Sequence, residues 1–278
     1  MRSTAPGVFA APVEIAFQPA DLVLVGDIEG DGDLDVYVPF IGRVFYNDGA
    51  ASFTSALAPS AFPFGGDVVL SDVDLDGALD VVFERISVSG TGIALYAGGG
   101  AFTPEVQISD RTGPFAVGDV DRDGDPDVVI GDLSSNDIDY LENLGSGTFA
   151  TPVPVSPFAG SFRSNSLALV DVDGDGLLDL LRGGDSVASG RLQSFLGDGT
   201  GDFTNDQGFL FGFGELDELV VQDVDGDADL DVLSALDLEL VLLRNDFVLG
   251  AEYCASLLNS TGASAALAVT GSRSVASP

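Results

Sequence analysis

Apolar residues in this chain gather in short runs, such as Leu22-Val23-Leu24-Val25, Val36-Tyr37-Val38, Val128-Val129-Ile130 and Leu240-Val241-Leu242-Leu243. The runs are rich in β-branched residues, bounded by Gly and Asp, and too short for amphipathic helices, so they read as buried strands. Between pairs of runs lies an acidic stretch of nine residues that recurs five times, at 27–35 (DIEGDGDLD), 72–80 (DVDLDGALD), 119–127 (DVDRDGDPD), 171–179 (DVDGDGLLD) and 223–231 (DVDGDADLD). Its steps are 45, 47, 52 and 52 residues, a period that marks a repeat architecture. Each acidic stretch therefore joins two strands of one repeat.

The acids stand at alternate positions, 1, 3 and 5, with Gly at 6 for a sharp turn and a last carboxylate at 9. Hard cations such as calcium collect six to eight oxygen ligands in this way. Without a cation the same carboxylates repel, by roughly 4 kcal/mol for two unit charges at 4 Å and an effective dielectric of 20. An EF-hand differs in closing with Glu at position 12 and lying between helices. Here the closing acid is Asp35, Asp80, Asp127, Asp179 or Asp231, and the flanks are strands.

These loops, followed by an aromatic and a Gly-rich turn ending in G-x-F, resemble the FG-GAP/VCBS repeat of integrin-alpha-type β-propellers. The companion turns are Tyr46-Asn47-Asp48-Gly49, Tyr96 to Phe102, Asn143 to Phe149 and Gly197 to Phe203. The resemblance spans about residues 8 to 250 and implies an all-β β-propeller, with up to five calcium ions bracing the loops. Its calcium ligands are side chains at positions 1, 3, 5 and 9 and the carbonyl of position 7. On this chain those are Asp27, Glu29, Asp31, Asp33 and Asp35; Asp72, Asp74, Asp76, Ala78 and Asp80; Asp119, Asp121, Asp123, Asp125 and Asp127; Asp171, Asp173, Asp175, Leu177 and Asp179; and Asp223, Asp225, Asp227, Asp229 and Asp231. Two copies depart from the pattern. Glu29 replaces Asp at position 3, and Ala228 replaces the Gly at position 6, which marks the fifth site as the weakest if that turn needs a positive φ.

The segment Gly7 to Phe17 matches the outer-strand part of a repeat, and the fifth repeat lacks such a strand after Asp246. The expectation is five four-stranded blades over residues 1–250, closed by the N-terminal strand without a free edge. A slice of a larger, seven-bladed ring is the alternative. Residues 251–278 leave the pattern and read either as a tail or as the start of a C-terminal β module that follows such repeats in some secreted bacterial proteins. In the second case Cys254 would pair with a cysteine further on; in the first it is a free thiol.

Composition narrows the function. The chain of 278 residues has 45 acidic and 10 basic residues, all ten of them arginine, for a net charge of −35. That surface disfavours nucleic acid and anionic membranes, and no apolar run is long enough to insert in a bilayer. With no His and one Cys, the usual general bases and nucleophiles are scarce, so the chain reads as a non-enzyme. All-oxygen loops favour calcium over zinc or copper, and weak calcium modules work outside the cell, where calcium is millimolar. The start at Met1-Arg2-Ser3-Thr4-Ala5-Pro6 lacks the apolar core of a signal peptide, so secretion implies that the chain is a fragment. The partner class is then an extracellular protein or a glycan. For the glycan reading, the candidates are Tyr46, Tyr96 and Tyr140, with core packing as the plainer role for them. A polysaccharide lyase would draw on Arg43, Arg85, Arg182, Arg191 or Arg244, whose plainer role is pairing with acidic neighbours.

Overall fold

The computed structural model describes residues 3–5, 8–9, 14–15, 22–50, 52–58, 67–85, 89–133, 135, 137–155, 163–186, 189–210, 216–236 and 239–245. The segment 251–278, with Cys254, lies outside the described residues.

The described residues form five antiparallel meanders, in which each strand pairs with the next in sequence. After a two-stranded ribbon of β1 (Ser3–Ala5) and β2 (Val8–Phe9), the first sheet holds β3 (Leu24–Gly26), β4 (Asp35–Val38), β5 (Arg43–Asn47) and β6 (Phe53–Leu57). The second holds β7 (Val68–Ser71), β8 (Asp80–Glu84), β9 (Thr91–Ala94) and β10 (Val106–Ser109). The third is β11 (Phe115–Gly118), β12 (Asp127–Gly131), β13 (Ile138–Leu141) and β14 (Val153–Pro154). The fourth is β15 (Arg163–Val170), β16 (Asp179–Ser186), β17 (Ser189–Gly197) and β18 (Phe203–Leu210). The fifth has three strands among the described residues, β19 (Leu216–Gln222), β20 (Asp231–Leu236) and β21 (Glu239–Leu243).

The middle strands explain the runs Val36-Tyr37-Val38 and Val128-Val129-Ile130, whereas Leu22, Val23, Val25 and Leu240, in runs read as buried strands, are exposed. Strands β8, β9, β12 and β13 are buried almost throughout, whereas β6, β10 and β14 face solvent along much of their length. A strand covered on both faces has no need to alternate, so Val128-Val129-Ile130 is continuous. Each fully buried Val, Leu, Ile or Phe contributes about 1.5–3 kcal/mol relative to exposure.

The second strand of the first sheet stops at Val38, because Pro39 opens a single 3₁₀ turn that Gly42 ends at φ 57°. Val8–Phe9, part of the segment Gly7 to Phe17 expected to complete the fifth sheet, pairs with Ser3–Ala5, and residues 7, 10–13 and 16–17 of that segment lie outside the described residues. A local hairpin closes a far shorter loop than a pairing across the whole chain.

The chain divides into two compact units, Met1–Asp110 with Gly145–Gly147 and Arg111–Leu144 with Thr148–Pro278. In the first unit one core joins the first two sheets through Tyr37, Val44 and Tyr46 against Val81, Phe83, Ala94 and Tyr96. In the second unit one core joins the third and fourth sheets through Val129, Tyr140, Leu180 and Phe195, and another joins the fourth and fifth through Leu181, Leu192, Val232 and Val241. No helix among the described residues is long and apolar enough to cross a membrane.

Candidate metal loops

All five acidic loops connect the first strand of a sheet to the second, and the pairing register fixes their span. The residue before position 1 lies opposite position 9 in every copy: Gly26 with Asp35, Ser71 with Asp80, Gly118 with Asp127, Val170 with Asp179 and Gln222 with Asp231. Nine residues thus close a hairpin whose ends are held in the ladder. Within it the chain takes the left-handed conformation twice. Position 6 has φ between 76° and 100° in all five copies, at Gly32, Gly77, Gly124, Gly176 and Ala228. Position 4 does the same at Gly30, Leu75, Arg122, Gly174 and Gly226. The first of these was legible from the sequence; the second was not, because Leu and Arg occupy it in two copies.

The closing Asp works as a clasp. One oxygen of Asp35, Asp80, Asp127, Asp179 and Asp231 accepts the N–H of position 2 at 2.9–3.0 Å. The other accepts the N–H of the residue that ends or follows the third strand, Asn47, Tyr96, Asn143, Gly197 or Asn245, at 2.7–2.9 Å. All five clasps are at most 1 % exposed. Burial outweighs those two donors and pushes Asp80, Asp127 and Asp179 up to about 6.

The other positions divide the work. Position 1 gathers the loop backbone: Asp72 accepts the N–H groups of Asp76 and Gly77 at 3.0 and 2.9 Å, and Asp171 accepts those of Gly174, Asp175 and Gly176. Position 5 accepts the N–H of position 7, as Asp31 does from Asp33, Asp76 from Ala78, Asp123 from Asp125, Asp175 from Leu177 and Asp227 from Asp229. Each is an Asx turn. Position 3 is crowded: burial, then the neighbouring acid at position 5, raises Asp74, while Asp121 is raised by burial first and by Asp123 and Asp119 as charges.

Carboxylate oxygens of positions 1, 3 and 9 converge within 4.8 Å of one another in four loops: Asp72, Asp74 and Asp80; Asp119, Asp121 and Asp127; Asp171, Asp173 and Asp179; Asp223, Asp225 and Asp231. Asp27, Glu29 and Asp35 do not form such a triad. The longer Glu29 reaches the hydroxyl of Tyr96 at 3.5 Å, and burial with Asp31 and Asp35 nearby raises it. The residues fit a hard divalent cation. The donors are all oxygen, and Asp119 Oδ1 is buried with no hydrogen-bond partner.

Neighbouring loops touch inside each unit. The position-8 residue Leu79 donates its N–H to Ile28 O at 3.0 Å, and its side chain lies where a Cβ on Gly26 would be, 2.6 Å away. Leu178 covers Gly118 in the same manner at 2.8 Å. Asn245 donates Nδ2–H to Val172 O at 2.8 Å, tying the fifth loop's flank to the fourth loop. These glycines and the Asn recur in the sequence, but only the packing gives the reason.

The three tyrosines named as glycan candidates are interior, each 6–7 % exposed. Tyr140 donates to Asp127 at 3.1 Å, Tyr96 accepts from Gly100 N–H at 2.9 Å, and a Cβ on Gly201 would stand 2.6 Å from the Tyr140 ring. Tyr140 and Tyr46 are surfaces on which the next Gly-rich turn closes, at Gly201 and Gly100, while Tyr96 holds its own turn. Among the arginines, Arg85 pairs with Glu105 and Arg244 with Asp225, both at 2.8 Å. Arg182 is buried, donates to Ser164 at 2.7 Å, and is pushed down to about 10 by burial and by Arg191. Sequence reasoning missed Arg111, which binds Asp132 at 2.9 Å, Asp137 at 3.3 Å and Asp139, and is raised chiefly by Asp139. Its acids are spread over 132–139 in a connection without a repeat pattern, so no spacing announced them.

Consecutive four-stranded meanders with an acidic hairpin between first and second strands define the class: an all-β repeat protein of the β-propeller type. Residues 119–182, which span the third and fourth loops, match the FG-GAP-like repeat family. That stretch of the chain is similar to an FG-GAP-like repeat. Among solved structures the chain is similar to an Agrocybe aegerita lectin, described as recognising non-reducing terminal N-acetylglucosamine, at 21 % identity and a TM-score of 0.57. That likeness, which is one of fold, covers 77 % of this chain and 60 % of the lectin. A match to the TcdB2–TccC3 structure has 16 % identity and a TM-score of 0.37, over 81 % of this chain and 14 % of the other. No curated protein matches the chain.

Proposed function

We propose that the protein is a calcium-braced β-propeller that acts outside the cell as an adhesion or protein-interaction module, without catalytic activity. The five sheets are read as blades, the fifth completed by a strand from the N-terminal segment. The observation that carries the calcium part is the repeated triad of positions 1, 3 and 9, which brings three carboxylates together at the same place in four loops. A divalent ion there would be held by those side chains, offset their repulsion and fix the hairpin; the backbone clasp of position 9 holds the loop ends beside it. The interaction role follows from fold and not from a site.

Thermal unfolding in EDTA, in calcium and in magnesium, with calorimetric ion counting, tests this reading. Calcium should raise the midpoint well beyond magnesium, since an ion that binds only the folded state stabilises by about 2.7 kcal/mol per site at a hundredfold excess over Kd. Equal midpoints in all three solutions would remove the metal from the account. A glycan reading is favoured by the fold likeness to a lectin; because Tyr46, Tyr96 and Tyr140 are interior, binding on a glycan array would have to use other residues.

A further inference from the structure

The fifth loop carries the same five-acid ladder as the third, yet an arginine reaches into it. Arg244 Nη1 lies 2.8 Å from Asp225 Oδ2, the position-3 carboxylate that would be a metal ligand. Arg244 immediately precedes Asn245, whose N–H closes the clasp on Asp231. The residues that precede the clasp donors in the other sheets are Tyr46, Leu95, Glu142 and Leu196, none of them cationic. The third loop does contain an arginine, Arg122 at position 4, but its side chain runs over the Gly199 turn. In the fifth loop the position-3 acid is thus held in an ion pair.

We propose that Arg244 replaces the divalent cation in the fifth loop, so that this repeat is held by an internal ion pair and takes no metal. The proposal rests on the calcium reading of the second, third and fourth loops; the fifth has the same triad of Asp223, Asp225 and Asp231, but one of its members is paired with Arg244. A guanidinium offers a planar fork suited to a carboxylate, and placed on Asp225 it both occupies a ligand and repels an incoming cation.

The test is an ion count on the full chain by calcium titration with equilibrium dialysis, for the wild type, Asp225→Asn and Arg244→Leu, the last matching Leu196. Asp225→Asn should leave the wild-type count unchanged, and Arg244→Leu should bind one more ion than the wild type. Loss of an ion in Asp225→Asn, or no gain in Arg244→Leu, would overturn the proposal. If Arg244→Leu does not fold, the Asp225→Asn count decides alone, with Asp121→Asn as the control that should lose an ion. A wild type that binds no calcium defeats the calcium reading itself and, with it, this inference; a full complement of five ions defeats only the inference.

Discussion

The third and fifth loops have acids at the same five positions and differ in what surrounds them. In the third loop the turn has Gly124, Asp119 Oδ1 is buried without a partner, and the clasp Asp127 also receives the Tyr140 hydroxyl. In the fifth, Ala228 holds the turn, Arg244 sits on Asp225, and the clasp Asp231 has its two backbone donors. Both hairpins close in the same register. The difference teaches that the ladder of acids serves two separable purposes, closing a hairpin and presenting oxygens to a cation, and that a repeat can keep the first while losing the second.

The sharpest way to break the comparison is to remove the clasps. Asp127→Ala strands the N–H groups of Val120 and Asn143 and the Tyr140 hydroxyl, each an unsatisfied buried donor costing about 1–3 kcal/mol. Denaturant melts in EDTA should show a loss of roughly 3–5 kcal/mol, and a somewhat smaller loss for Asp231→Ala, which strands two donors. If Asp127→Ala were neutral in EDTA, the closing acid would matter only as a metal ligand.

Next in size comes the pH dependence of the metal-free protein. Burial raises Asp80, Asp127 and Asp179 to about 6, against about 3.9 for an unfolded Asp. Between those values the folded chain holds more protons than the unfolded one, so stability falls as pH rises through about 6. In EDTA the protein should thus resist denaturant better near pH 5 than near pH 7.5. Saturating calcium should reverse the slope, because the ion competes with those protons. A flat profile in both solutions would contradict the burial of the clasps.

Much of this was legible in the chain. The strand runs, the period and the hairpin loops follow from residue pattern, since a nine-residue acidic turn between β-branched runs has few other solutions. The division of labour within each loop was not. Spacing marks Asp31, Asp76 and Asp123 as equal to their neighbours, yet backbone direction turns them onto the N–H of position 7. Glu29 kept the donor type but its length carried it to Tyr96. The role of Arg244 depended on a strand pairing that places residue 244 beside residue 225, nineteen positions away in sequence. Contacts made across a repeat leave no periodic trace.

The smallest effect separates backbone from metal. Ala228 adopts φ 76° where the other copies use Gly, and Gly124 at φ 100° has nothing within 4 Å of where a Cβ would stand. The steric space is open, so the conformation alone sets the energy. A non-glycine residue in this region costs about 1–2 kcal/mol, partly offset by the extra freedom that Gly has in the unfolded chain. Ala228→Gly should therefore stabilise by about 0.5–1 kcal/mol, and Gly124→Ala should destabilise by a similar amount, both in EDTA. Calcium then distinguishes the two loops: it should deepen the Gly124→Ala defect, because a strained hairpin presents its carboxylates less well to the ion. The Ala228→Gly gain should stay the same with and without calcium, as expected of a loop whose cation is a guanidinium.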